Sequence, residues 1–189
     1  MVSRSSSDTF RPDNNVNPLT SKYTYVIMTH DERVRSIAEK IPHFFPCKTM
    51  IPLLIRRKWV DGGYKEATIP LMPGYVFLFS NDEMDPTVIH RLSGIQRVLN
   101  YGDKTYSLTG YDEQVARWLA RHDGTIGLSK AIQVNGRIQA VEGPLKDDIC
   151  KIVKVDKHKR YAQVELQFHG ATFNVWLHFD WAEGKKRSL

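Results

Sequence analysis

Late in the chain, apolar and polar positions alternate with a period of two over two adjacent runs. Ala162, Val164, Leu166 and Phe168 interleave with Gln163, Glu165 and Gln167. Phe173, Val175, Leu177 and Phe179 interleave with Asn174, Trp176 and His178. Successive strand residues point to opposite faces, so the pattern predicts a hairpin turning at Gly170 with one buried side. Ile149–Val155 and Ile132–Val141 read as further strands, which makes a small antiparallel barrel of about fifty residues with a thin core. The first two thirds of the chain follow other periods. Tyr23–Met28 is an aromatic, β-branched strand. Thr29 precedes Glu32 at capping-box spacing, and Val34, Ile37, Ala38 and Ile41 recur as a helix face until Pro42. Lys48–Trp59 is apolar and then basic, Asp61-Gly62-Gly63 is a turn, and Tyr64–Pro70 is the return run.

Gly74–Phe79 is almost wholly apolar, as in a central strand covered on both sides. Asp85 caps a helix begun by Pro86, with Val88, Ile89 and Leu92 as its stripe. Ile95–Leu99 reads as a strand and Tyr101–Ser107 as a short hairpin. Asp112-Glu113 then opens a helix that buries Val115, Trp118 and Leu119 and carries Arg117 and Arg121 in its last turn. The order β-α-β-β-α-β-α is the split βαβ order of a ferredoxin-like layer. His122–Lys130, with Gly124 and Gly127, has no periodicity. The predicted class is therefore α+β. A flexible tail spans 1–21, a ferredoxin-like unit 22–123, a linker 124–130, a barrel 131–182 and a basic tail 183–189.

Composition narrows this picture. Of 189 residues, 41% are apolar, enough for a packed core. Lys and Arg number 27 against 21 Asp and Glu, a net charge of +6 that favours polyanionic partners. Cys47 and Cys150 stand alone in strand-like surroundings, as buried free thiols rather than a disulfide. Neither a membrane span nor a signal peptide is present, which points to a reducing cytoplasm. No catalytic or nucleotide-binding motif occurs, and the histidines lack partners at metal spacing. The expectation is a binding protein, without enzymatic activity, cofactor or metal.

Two clusters carry the candidate chemistry. Lys154-Val155-Asp156-Lys157-His158-Lys159-Arg160 lies between two strands and forms a basic hairpin tip, with Lys146 and Lys151 upstream. Such a tip suits phosphates, and Trp176 and His178 on the polar face of the next strand suit unpaired bases. A merely solvated turn and a half-buried Trp fit the same residues. Leu71-Met72-Pro73-Gly74-Tyr75-Val76-Phe77 is the second cluster. With Tyr25 and Met28 it gives one sheet face an apolar, aromatic surface for a partner helix.

Pro-Gly-Tyr-Val-Phe at 73–77, after an aromatic strand and a helix, resembles the N-terminal (NGN) domain of the NusG family. Val141-Glu142-Gly143-Pro144-Leu145-Lys146, Ile152–Asp156 and Val164-Glu165-Leu166 resemble the SH3-like KOW domain that follows it. The resemblance implies a monomeric transcription elongation factor that suppresses pausing and termination. Its first domain would hold the clamp helices of RNA polymerase through Tyr25, Met28, Met72, Pro73, Gly74, Tyr75 and Phe77. Asp85–His90 resembles the gate-loop segment of the RfaH paralogue, which makes His90 and Arg91 gate-side candidates, although Arg-Leu-Ser replaces a threonine run there. The basic stretch 156–160 resembles LoaP-type antiterminators, which implies contact with a nascent RNA hairpin through Lys146, Lys151, Lys154, Lys157, His158, Lys159, Arg160 and Trp176. The alternatives are a housekeeping factor whose KOW domain holds Rho or a ribosomal protein through Phe168, Phe173 or Trp176, and a ribosome-associated KOW protein.

Overall fold

The computed structural model describes residues 16–102 and 104–182. Its first sheet is antiparallel and contains β1 (Tyr23–Thr29), β2 (Lys48–Met50), β5 (Tyr75–Ser80) and β6 (Ile95–Val98), in the order β2-β5-β1-β6. Helix α1 (Val34–Lys40) joins β1 to β2, yet β5 lies between them. Helix α2 (Pro86–His90) joins β5 to β6 across β1. This is the split βαβ arrangement that the element order predicts.

The two faces of β1 and β5 bury different cores. Tyr25, Ile27, Val76 and Leu78 pack with Val34, Ile37 and Ile41 around α1 and with Ile89 of α2. Val26, Phe77 and Phe79 point the other way, into a core shared with Trp118 and Leu119 of α3 (Gly110–Arg121).

Between β2 and β5, a hairpin of β3 (Leu53–Val60) and β4 (Gly63–Pro70) leaves this sheet. The predicted single strand Lys48–Trp59 is thus broken at Ile51-Pro52, since Pro52 has no N–H to continue the ladder. Asp61 (φ 52°) and Gly62 (φ 80°) form a two-residue turn with positive φ at both positions, which suits the twist of a tight hairpin. The segment predicted as a linker adds β7 (Thr125–Ile126), parallel to β3.

A five-stranded sheet follows. It contains β8 (Ser129–Val134), β9 (Arg137–Glu142), β10 (Lys151–Asp156), β11 (Tyr161–Phe168) and β12 (Ala171–Trp181), in the order β10-β11-β12-β8-β9. The expected all-antiparallel pattern fails at one pairing, because β8 runs parallel to β12 from Ser129 opposite Phe179 to Ala131 opposite Trp181. Parallel neighbours need a long crossover, and β9 through β11 supply it. At the predicted turn, His169 and Gly170 connect β11 to β12 with Phe168 opposite Ala171.

Three local expectations change. Thr29 does not cap α1: it ends β1, is buried, and its hydroxyl donates to the Gly94 carbonyl at 2.6 Å, while a 3-10 turn at Asp31–Arg33 leads into the helix. In place of the predicted hairpin, the Tyr101 N–H donates to the Thr105 carbonyl at 2.9 Å, and no strand forms among the described residues there. Of the predicted tail, residues 1–15 lie outside the described residues, as do 183–189. Pro18–Ser21 are held in place. The Arg117 guanidinium of α3 donates to the Pro18 carbonyl, to the Ser21 hydroxyl at 2.9 Å and to the Ser21 carbonyl at 2.6 Å. Asp85 behaves as predicted, its carboxylate accepting from the Thr87 N–H at 2.9 Å and the Thr87 hydroxyl at 2.7 Å.

Candidate functional site

The residues proposed to meet a partner helix divide between the two faces of the first sheet. Tyr25 stands on the helix side, buried, with its hydroxyl accepting from the Met84 N–H at 2.9 Å. It cannot share a surface with Met28, because their separation of three residues puts them on opposite faces. Met28 lies across from Tyr75, and Val26 across from Phe77. Met28, Met72, Tyr75 and Phe77 thus gather on one face with the shared core. Pro73 is exposed. Gly74 is structural: at φ 78° its carbonyl accepts from the Thr29 N–H at 2.8 Å, and a Cβ there would meet the Thr29 oxygen at 2.6 Å. His90 and Arg91 stand exposed at the end of α2, on the helix layer and apart from this face.

That face is covered. The hairpin end of β11 and β12 brings Phe168 to 5.5 Å from Phe77 and 6.0 Å from Tyr75, ring centre to ring centre. Phe173 meets Tyr75 edge-on at 6.3 Å. The two sheets therefore share one continuous apolar core.

The basic tip is the turn between β10 and β11. Asp156 accepts from the Lys159 N–H at 2.9 Å, and Arg160 takes a left-handed backbone at φ 57°. Lys157 donates to the Gly136 carbonyl at 2.8 Å, while His158 and Lys159 are exposed. Lys154 lies opposite Gln163, which lies opposite Trp176, so Lys154 and Trp176 share the outer face. Lys151 and Lys146 do not join them. Lys151 begins β10, roughly 17 Å from the tip at strand rise, and pairs with Glu165 at 3.5 Å. Lys146 lies in a 3-10 turn before β10, beside Asp147, whose carboxylate meets His122, the residue that follows α3, at 2.7 Å.

His178 departs from the reading that placed it on an open polar face. It is 3% exposed, with the Tyr161 ring edge-on at 4.9 Å and Tyr64 of the β3–β4 hairpin at 6.3 Å. Neither ring nitrogen has a hydrogen-bond partner among the described residues. Burial pushes its pKa below the usual 6.5, against the pull of Asp180. Asp180 itself is clamped between the β3–β4 hairpin and the β10–β11 turn. Arg57 of β3 meets one oxygen at 2.8 Å and Arg160 the other at 2.8 Å. These two guanidiniums hold its carboxyl below the ordinary carboxylate range although partial burial opposes them. Arg57 also pairs with Glu66 at 2.7 Å. The Tyr161 hydroxyl donates to the Arg57 carbonyl at 2.5 Å.

Sequence reasoning missed Arg56, Lys58 and Tyr161, which line one groove with Trp176, Lys159 and Asp156. The run Arg56-Arg57-Lys58 was visible as a basic end to a strand. That its hairpin folds onto β12, far along the chain, was not. Cys47 and Cys150 are free and buried, and burial pushes both thiols up to about 12. No cluster of three metal-binding side chains occurs among the described residues. No helix among them is long and apolar enough to cross a membrane.

A split βαβ sheet joined to a five-stranded sheet through a shared core defines a mixed α+β fold of the NusG type. Thermotoga maritima NusG, from a structure titled "Domain interaction in Thermotoga maritima NusG", superimposes with a TM-score of 0.52 at 18% identity, over 85% of this chain and 95% of that one. No protein-family model matches the chain, and no curated protein matches it in sequence.

Proposed function

We propose that this chain is a NusG-type transcription elongation and antitermination factor, acting in the cytoplasm by binding rather than by turnover. The split βαβ unit serves as the NGN domain and the five-stranded unit as the KOW domain. Met28, Met72, Tyr75 and Phe77 form the surface for the clamp helices of RNA polymerase, and His90 and Arg91 are the gate-side candidates. The basic turn Lys157–Arg160, with Lys154 and Trp176, reads nascent RNA, as in LoaP-type paralogues. The observation that carries the proposal is the gathering of Met28, Met72, Tyr75 and Phe77 on one sheet face, within a NusG-like fold.

Phe168 and Phe173 lie on that same face, so polymerase engages only once the β11–β12 hairpin withdraws. While the hairpin is docked, RNA has access that a protein partner lacks. Phe168, offered above as a protein contact, is buried under Phe77, whereas His158 and Lys159 are exposed.

The test is transcription in vitro through an intrinsic terminator by bacterial RNA polymerase. Added protein should raise read-through, and Tyr75→Ala with Met28→Ala should abolish the gain. Failure of the wild-type chain to bind polymerase or change read-through, with or without leader RNA, would overturn the proposal.

A further inference from the structure

The groove beneath the β3–β4 hairpin is walled by that hairpin and floored by the five-stranded sheet. Arg56 and Lys58 stand two residues apart on β3, so they share one strand face. Tyr161 and Trp176 lie on the outer face of β11 and β12, with Trp176 opposite Gln163 and Tyr161 opposite His178. Lys159 closes one end from the turn. The groove is open to solvent on one side, with a volume of 310 Å³. The hairpin is fixed over this floor by the Arg57–Asp180 pair and by the Tyr161 hydroxyl on the Arg57 carbonyl. The groove therefore exists only while the β3–β4 hairpin rests on the five-stranded sheet.

Its chemistry is selective. Three cations, Arg56, Lys58 and Lys159, face a single carboxylate, Asp156. One Asp156 oxygen already accepts the Lys159 N–H. The floor is aromatic. A rigid duplex reaches the cations but cannot place a base on Trp176, whereas an unpaired strand can do both. The second Asp156 oxygen offers an acceptor for a ribose 2′-hydroxyl, the group that distinguishes RNA from DNA.

We propose that this composite groove binds a single-stranded stretch of RNA, with a base stacked on Trp176 and phosphates on Arg56, Lys58 and Lys159. The proposal rests on the RNA-reading role of the second unit and adds a wall from the first. RNA held there bridges both units and opposes withdrawal of the β11–β12 hairpin from the Tyr75 face, because a ligand favours the state that completes its site.

The test is fluorescence anisotropy of the full chain with a short labelled oligouridylate and the matching oligothymidylate, titrated with salt. Arg56→Ala with Lys58→Ala should weaken oligouridylate binding and reduce the salt slope by about 1.4, the value for two phosphate contacts on a single strand. Trp176→Leu should weaken it about tenfold, and Trp176→Phe should restore most of that loss. Lys157→Ala with His158→Ala separates the two readings. Loss of binding there, with Arg56→Ala/Lys58→Ala unchanged, keeps the basic tip and overturns the composite groove. Loss in the Arg56/Lys58 variant alone supports the groove and removes the tip. Equal affinity for oligothymidylate overturns the assignment to RNA, and no wild-type binding overturns both readings.

Discussion

Phe168→Ala tests whether the two sheets are energetically joined. The ring is buried and meets Phe77 at 5.5 Å and Tyr75 at 6.0 Å. Truncating a buried Phe costs about 3–5 kcal/mol, and each aromatic pair accounts for about 0.5–1.5 kcal/mol of that beyond burial alone. Bulk stability cannot separate a contact across the sheets from packing within the second one. A double-mutant cycle can. Tyr75→Leu, Phe168→Leu and the double variant, unfolded in urea, should show a coupling of about 0.5–1.5 kcal/mol. Phe168→Leu, the single variant of the cycle that keeps Tyr75, should bind RNA polymerase more tightly than wild type under the proposed function, because the covered face is released. Additivity within about 0.3–0.5 kcal/mol, the scatter of independent sites, would refute the docking and with it the covered face.

Three further outcomes follow from the geometry. His178 has its folded pKa lowered, so the unfolded chain binds its proton first; stability is full above 6.5 and declines as pH falls from there toward the folded value. Thermal melts across that range should show the decline, and His178→Phe should flatten it. Asp180→Asn leaves Arg57 and Arg160 facing each other without their shared carboxylate. Their partial exposure limits the loss to about 1 kcal/mol, which urea unfolding should find diminished in high salt. Gly74→Ala forces a Cβ to 2.6 Å from the Thr29 carbonyl at φ 78°, and its unfolding free energy should drop by more than about 1 kcal/mol.

Local order was legible where period and punctuation agreed. Alternation over Ala162–Phe168 and Phe173–Phe179 located β11 and β12, and Asp85-Pro86 located α2 with its cap. Legibility failed where partners are distant in sequence. Nothing local says that the Thr29 hydroxyl serves Gly94 rather than a helix, or that Ser129–Ala131 runs parallel to Phe179–Trp181. His178 is the sharpest case. Its place on a polar face follows correctly from alternation, but that face is covered by Tyr64 from another sheet, so a polar position became an interior one. For the same reason Trp176 and the basic turn were identifiable as a candidate site while Arg56 and Lys58 were not.

The cover over the Phe77 face is supplied by β12 and the end of β11, late in the order of synthesis. At ~5–20 residues per second, the chain from Ser80 to Trp181 takes roughly 5–20 s to emerge. During the later part of that interval Tyr75 and Phe77 can already stand in a sheet covered by α3 alone, without the Phe168 and Phe173 rings. A nascent chain still on the ribosome thus presents its apolar face before it can hide it. The same seconds are when the face is most open to a chaperone, to aggregation, or to a polymerase transcribing nearby.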